Sequence, residues 1–385
     1  MKFLILLIIL LLLCGCGPSP EGSAEEPHPT THPPEVTTIP TTEAPTAPPT
    51  EPPDPLQLLL ESMTLEERVG QLFLARCNSA TAVEDAAKYH LGGYVLFGID
   101  FEGQSPETVK NAIASYQAAA KIPLLIAVDE EGGTVTRVSR YSQFRSSPFP
   151  SPRNLYSQGG FDLLRTTETE KCALLSSLGI NVNLGPVCDI STQPGAILYQ
   201  RSLGLDPELT SQFITQTIAV MEENRIGSVL KHFPGYGNNA DTHVQIAWDS
   251  RSLESLESCD LIPFQAGIEA GADAVMVAHT IVQAIDPDTP ASLSPAVHQY
   301  LRQEMGYDGV ITTDDLVMDA ITKQYGAGEA AVLAVLAGND VLCCTEYAVQ
   351  YEAVLDAVLT GRIDFYALNE AVLRVLRWKQ ELGLI

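Results

Sequence analysis

Apolar runs recur along residues 56–385 at the spacing of a strand–helix repeat. Eight are short and rich in β-branched residues: Gln71–Cys77, Gly93–Phe97, Pro123–Asp129, Asn181–Val187, Ser228–Phe233, Ala274–His279, Gly309–Asp314 and Asp340–Thr345. Most are apolar at odd and even positions alike, the pattern of parallel strands covered on both faces. Stretches with helical spacing lie between them, among them Pro106–Ala120, Asp206–Asn224 and Gly328–Ala337. Eight such units predict an α/β fold, a (β/α)8 TIM-like barrel forming a single catalytic domain. A doubly wound open sheet is the alternative, but no GxGxxG turn follows the first strand.

The N-terminus departs from this pattern twice. Residues 1–16 read as a lipoprotein signal peptide: Lys2 is its positive end, and the Leu/Ile run behind it is short for a membrane span. Leu13-Cys14-Gly15-Cys16 resembles a bacterial lipobox. Cys16, behind the small Gly15, is the candidate lipidation site, because Cys14 follows the bulky Leu13. A plain cleaved signal and an uncleaved anchor are the alternatives. Residues 17–55 read as a disordered Pro/Thr-rich acidic linker. Within 18–55 stand 13 Pro, 8 Thr and seven acidic residues, with no Lys or Arg. Such a segment buries too little apolar surface to offset its ordering entropy, and Pro and like charges extend it. These two segments predict an extracytoplasmic body, 56–385, lipid-anchored to a bacterial cell membrane.

Charge narrows the function classes. The chain of 385 residues carries 48 acidic against 22 basic side chains, a net charge of −26. That argues against nucleic acid, whose binding needs clustered cations, and against adhesion to anionic lipid through a basic patch. Membrane contact is expected only through the lipid anchor. Eight Cys are too sparse for a disulfide scaffold, and no Cys/His spacing reads as zinc. No metal or cofactor is expected. Cys343-Cys344 read as buried thiols.

In a barrel of this kind the chemistry lies at the C-terminal strand ends. Here those ends are polar: Asp129-Glu130-Glu131-Gly132-Gly133 after the third strand, Lys231-His232-Phe233-Pro234-Gly235 at the fifth, His279 at the sixth and Thr313-Asp314-Asp315 at the seventh. Charged groups at the end of an apolar strand must be paired, wet or functional.

Three motifs identify a family. KHFPGYGNNADTH (231–243), VDEEGGTVTRV (128–138) and GYDGVITTDDLVMDAI (306–321) resemble glycoside hydrolase family 3, in its β-N-acetylglucosaminidase branch. The resemblance covers roughly residues 60–380, with the motifs in the family's order. It implies a carbohydrate substrate, with Asp314 as the nucleophile of a retaining glycosidase and Asp315 in support, a metal site or the pair of a substrate-assisted hexosaminidase being the alternatives for two adjacent Asp. It implies His243 as general acid/base with Asp241 behind it; an imidazole titrating near neutrality can give a proton and later take one from water. Gly235, Gly237 and Asn238-Asn239 predict a mobile loop that delivers His243.

By the same resemblance Asp129, Arg137, Arg201, Lys231 and His232 bind the terminal sugar, and Asp129 would close its far end and make the enzyme exo-acting. The family commonly has His where this chain has Tyr236, and often Arg where it has Thr134. For His279 a satisfied rim histidine and a substrate contact stay open, Asp189 is uncertain, and Glu130 and Glu131 read as helix-terminal charges or ion-pair partners. A β-glucosidase or β-xylosidase and a GlcNAc phosphorylase of the same family are the nearest alternatives. A non-catalytic sugar-binding lipoprotein is the alternative from another class. A metal-dependent barrel hydrolase would want His-x-His near the end of the first strand, where this chain has Arg76-Cys77-Asn78.

Overall fold

The computed structural model describes residues 54–237 and 247–385. Eight parallel strands form its centre: β1 (Phe73–Arg76), β2 (Gly93–Leu96), β3 (Leu125–Val128), β4 (Val182–Asn183), β5 (Gly227–Phe233), β6 (Ala274–Val277), β7 (Val310–Thr313) and β8 (Leu342–Cys344). They pair in chain order from β1 to β7, and β8 pairs with β1. A parallel bridge between Thr312 and Val341 joins β7 to the residues before β8 and closes the barrel. All eight expected strands are present. All but the fifth are shorter than the apolar runs, whose ends lie outside the paired ladder.

The two-faced apolarity of the strands has a direct cause. Successive side chains point to opposite sides of a strand. Leu74, Val95, Leu125, Ala127, Val229, Met276, Val310 and Cys343 belong to one cluster that fills the barrel. Their neighbours Phe73, Ala75, Tyr94, Leu96, Ile126 and Val128 pack outward against helices. Val375 and Trp378 of the C-terminal helix Phe365–Glu381, and Leu382 just after it, join the interior cluster.

The helices start where the sequence gives stop and start signals. Pro106–Ala119, the helical stretch Pro152–Leu178 (broken at Gly159-Gly160) and Pro207–Glu223 follow Ser105, Ser151 and Asp206, whose side chains accept N–H bonds from the first turn. Proline then occupies the first helical position, where its missing N–H costs nothing. The body's first helix, Pro55–Glu61, begins the same way behind Asp54. Periodicity did not reveal the two-residue parallel strands Trp248–Asp249 and Ile281–Val282, in the segments after β5 and β6. Cys77, Cys172, Cys188, Cys259, Cys343 and Cys344 are free thiols, and both residues of the Cys343-Cys344 pair are buried.

Lys379 gives the body a measurable pH signature. It is fully buried, its Nζ donates to Gln71 Oε1 at 2.6 Å, and burial pushes its pKa down to about 7. Above that pH the folded lysine is neutral, while the unfolded one stays charged until about pH 10.4. The unfolded chain then holds the extra proton, so this residue makes stability rise with pH between the two values, by up to about 1.4 kcal/mol per unit. Denaturant midpoints at pH 7 and pH 9 check this. Lys379→Met gains on the wild type at pH 7, and that advantage shrinks by pH 9.

Candidate active site

The inward positions that carry apolar side chains through the barrel carry polar ones at its C-terminal end. Counting by twos, Leu125 and Ala127 lead to Asp129, Val229 to Lys231, Val310 and Thr312 to Asp314, Leu74 to Arg76, Val95 to Phe97, and Cys343 to Thr345. Asp129, Lys231, Asp314, Arg76, Phe97 and Thr345 all line one cleft of about 460 Å³. Arg137, Arg201 and His232 line it as well. Six of the expected site residues (Asp129, Arg137, Arg201, Lys231, His232 and Asp314) are therefore brought together. Asp241, His243 and Cys16 lie outside the described residues.

One wall of the cleft is a charge network. Lys231 Nζ stands 2.7 Å from Asp129 Oδ1 and 2.6 Å from Glu131 Oε1. Arg201 grips Glu131 with both prongs, Nε to Oε2 at 2.9 Å and Nη2 to Oε1 at 2.7 Å. Burial alone would raise the Glu131 carboxyl, but Lys231 and Arg201 hold it well below the usual carboxylate range. Burial alone would lower Lys231, but Asp129 and Glu131 hold it above its ordinary value. Glu131 is thus an ion-pair partner, and both cations are fixed before any ligand arrives. Arg153 supports the loop behind Arg201 by donating to the carbonyls of Tyr199 (3.1 Å) and Ser191 (2.8 Å).

His232 takes its tautomer from its neighbours. Its Nε2 lies 3.1 Å from Arg201 Nη2, which can only donate, so Nε2 accepts. The ring proton then sits on Nδ1 and is donated to Asp189 Oδ2 at 2.8 Å. Asp189 also accepts the backbone N–H groups of His232 and Tyr236. It is a buried bracket for the fifth strand end. Tyr236, also buried, packs edge-on against the His232 ring at 5.5 Å.

Arg137 is held differently. Asp129 Oδ2 stands 3.7 Å from its Nη2. Its Nε is buried and has no hydrogen-bond partner among the described residues. Donors so placed suit hydroxyls of a bound sugar. The loop that carries it is clasped by Glu130, whose carboxylate accepts the N–H groups of Arg137 (2.8 Å) and Val138 (2.7 Å) and the Ser139 hydroxyl.

The two adjacent aspartates differ in what surrounds them. Asp315 accepts Val317 N–H and Thr345 N–H on Oδ1 and the Thr345 hydroxyl on Oδ2. Both its oxygens are thus committed to the β7 loop and the end of β8, and burial pushes its carboxyl up. Both aspartates line the cleft, and Asp314 accepts Asp315 N–H on Oδ1 at 2.8 Å. His279 is a rim histidine: Nδ1 meets the Ser292 hydroxyl at 2.7 Å and Nε2 the Asp315 carbonyl at 3.0 Å.

Sequence reasoning passed over Arg76. It stacks on the Phe97 ring at 4.3 Å, with Arg137 over the same ring at 5.6 Å, and its Nη1 reaches Asp100 Oδ2 at 2.8 Å. The signal was available: Arg76 follows the inward Leu74 by two.

Comparison with known proteins agrees with the barrel fold. The family model described as "Glycosyl hydrolase family 3 N terminal domain" matches residues 64–378. A beta-hexosaminidase of Stenotrophomonas maltophilia (strain K279a) is 37% identical over 295 residues, covering 72% of this chain and 86% of the relative. One of Nitrosomonas eutropha is 32% identical over 296 residues, covering 75% and 83%. A solved glycoside hydrolase family 3 beta-N-acetylglucosaminidase from Paenibacillus sp. str. FPU-7 superposes with a TM-score of 0.79 at 35% identity. The match covers 84% of this chain, which spans only 63% of the Paenibacillus chain.

Proposed function

This chain belongs to glycosyl hydrolase family 3 and is a glycoside hydrolase, and from that premise we propose that it is a retaining exo-β-N-acetylglucosaminidase. It removes terminal, non-reducing β-GlcNAc from peptidoglycan fragments or chitooligosaccharides. The observation that carries the reading is the single cleft in which Asp314 and the Asp129–Lys231 pair stand together. The names of the similar proteins support the choice of sugar.

The chemistry follows from these roles. Asp314 attacks the anomeric carbon while His243 protonates the departing oxygen, so the glycosidic bond breaks as the Asp314 ester forms. Water then attacks that carbon and gives a proton to His243, and Asp314 leaves as a carboxylate. Asp241 orients and charges the imidazole. Asp129, Arg137, Arg201, Lys231 and His232 bind the terminal hydroxyls, where unmet polar groups would reject sugars lacking them. The anchor at Cys16 and the extracytoplasmic location rest on residues 1–16. A Cys16→Ser chain that stays membrane-bound would remove the lipid anchor from the reading and leave an uncleaved anchor in its place.

The test is nitrophenol release from β-GlcNAc and β-glucose substrates by the purified protein, with and without phosphate. Turnover of the GlcNAc substrate alone, indifferent to phosphate, is expected. Phosphate stimulation moves the assignment to a phosphorylase, and preference for glucose to a β-glucosidase. Binding of GlcNAc without turnover makes the protein a receptor.

A further inference from the structure

Arg251 lies outside the cleft, yet it ties together both flanks of the segment that carries Asp241 and His243. On the later flank its Nε lies 3.0 Å from each Asp249 oxygen, and its Nη2 lies 2.6 Å from Asp249 Oδ2. On the earlier flank Nη2 reaches the Gly235 carbonyl at 3.4 Å. Nη1 reaches Asp260 Oδ2 at 2.6 Å, just before the helix Leu261–Glu269 that packs on β5. Asp249 and Asp260 are each 1% exposed, so the guanidinium neutralises two carboxylates that have almost no water. Backbone bonds hold the later flank as well: Ile281 N–H donates to Ala247 O and Gln283 N–H to Asp249 O.

The two glycines of the earlier flank fit this clamp. Gly235 has φ +115°, and a Cβ there would come within 2.7 Å of Asp260 Cβ. Gly237 has φ +55°, and a Cβ there would come within 2.8 Å of Arg251 Nη2. Their spacing therefore answers to the Arg251–Asp260 pair, a second reason for glycine beside the loop freedom read from the sequence.

We propose that Arg251 is a positioning residue: it fixes Gly235 and Asp249, which flank the stretch that carries His243, relative to the barrel, and so supports proton transfer by the general acid/base. The inference rests on the reading of His243 as that acid/base. It explains why the clamp needs a planar fork, since a lysine ammonium could hold one flank but not Asp249, Asp260 and Gly235 at once.

Leaving-group dependence separates this role from a merely structural one. A dinitrophenolate departs as a stable anion and needs no proton, whereas phenolate departs slowly without one. Wild type, Arg251→Lys and Arg251→Met are compared on phenyl and 2,4-dinitrophenyl β-GlcNAc. In both variants kcat/KM for the phenyl substrate falls by about 30-fold or more, and for the dinitrophenyl substrate by less than about 3-fold. Azide, which needs no base to attack the glycosyl-enzyme, raises kcat of the variants on the dinitrophenyl substrate. Equal losses on both substrates, or none, overturn the proposal. If neither Arg251 variant folds, Asp260→Asn, which keeps the Asp249 arm, must show the same selective loss in smaller degree. If Asp314→Ala retains wild-type turnover, the glycosidase reading has failed and not the clamp.

Discussion

Asp314→Ala lowers kcat/KM on nitrophenyl β-GlcNAc by about ten-thousand-fold or more, while the protein folds and still binds GlcNAc. A loss of that size corresponds to about 5.5 kcal/mol of transition-state stabilisation. It is expected because, among the described residues, the other carboxylates of the cleft are already engaged. Asp315 is next in sequence, but its oxygens are occupied by Thr345 and by Val317 N–H. Asp129 is held by Lys231 on the wall opposite in sequence order, at the third strand end. The stereochemistry of rescue makes the assignment specific. Azide that enters the space left by the carboxylate attacks the same face of the sugar and yields the α-glycosyl azide. A β-azide, or a variant within tenfold of wild type, would mean that the covalent step belongs to another residue.

The place of Asp314 in the cleft was legible from strand parity, while its role as nucleophile comes from the resemblance. In β7 the inward positions are Val310, Thr312 and then Asp314, so a period of two places the first aspartate of the pair in the cleft. The same count places Asp129 and Lys231. His232 breaks it, facing the cleft beside Lys231 where the register of β5 shifts between Leu230 and Phe233. Without the resemblance, nothing in its spacing would have brought it in.

Other parts of the site were hidden for a different reason. Glu130 and Glu131 are adjacent acids after β3, and nothing local tells a loop clasp from an ion-pair hub. The distinction arises from partners about 70 and 100 residues away, Arg201 and Lys231. Asp189 and Arg251 likewise take their meaning from contacts across the rim. Long-range pairing of this kind leaves no periodic trace. The charge balance misleads in the same way. A chain of net charge −26 places Arg76, Arg137, Arg201 and Lys231 around one cleft, so its global acidity says little about the potential that a sugar meets.

Glu131→Gln is expected to cost about 3–5 kcal/mol of stability at pH 7, the range for removing one partner of a buried ion pair. The variant keeps the shape of the side chain and removes only its charge. Lys231, 2% exposed, would then share Asp129 alone, and Arg201 would lose its bidentate partner. The pH dependence identifies the cause. Lys231 and Arg201 hold Glu131 below its unfolded value, so its contribution is complete above about pH 4.3 and fades as pH falls toward the folded value. Lys231 is held above its unfolded value, so its contribution persists up to about pH 10.4 and fades only beyond. Guanidinium midpoints should therefore separate wild type and variant by a constant margin from about pH 5.5 to pH 9, and the margin should close in acid. Activity should fall with stability held saturating by low temperature, because Lys231 and Arg201 are both placed by this one carboxylate. A margin near zero at pH 7 would mean that the attraction of the two cations only offsets the desolvation of three buried charges. The network would then be a device for positioning the sugar and not for holding the barrel together.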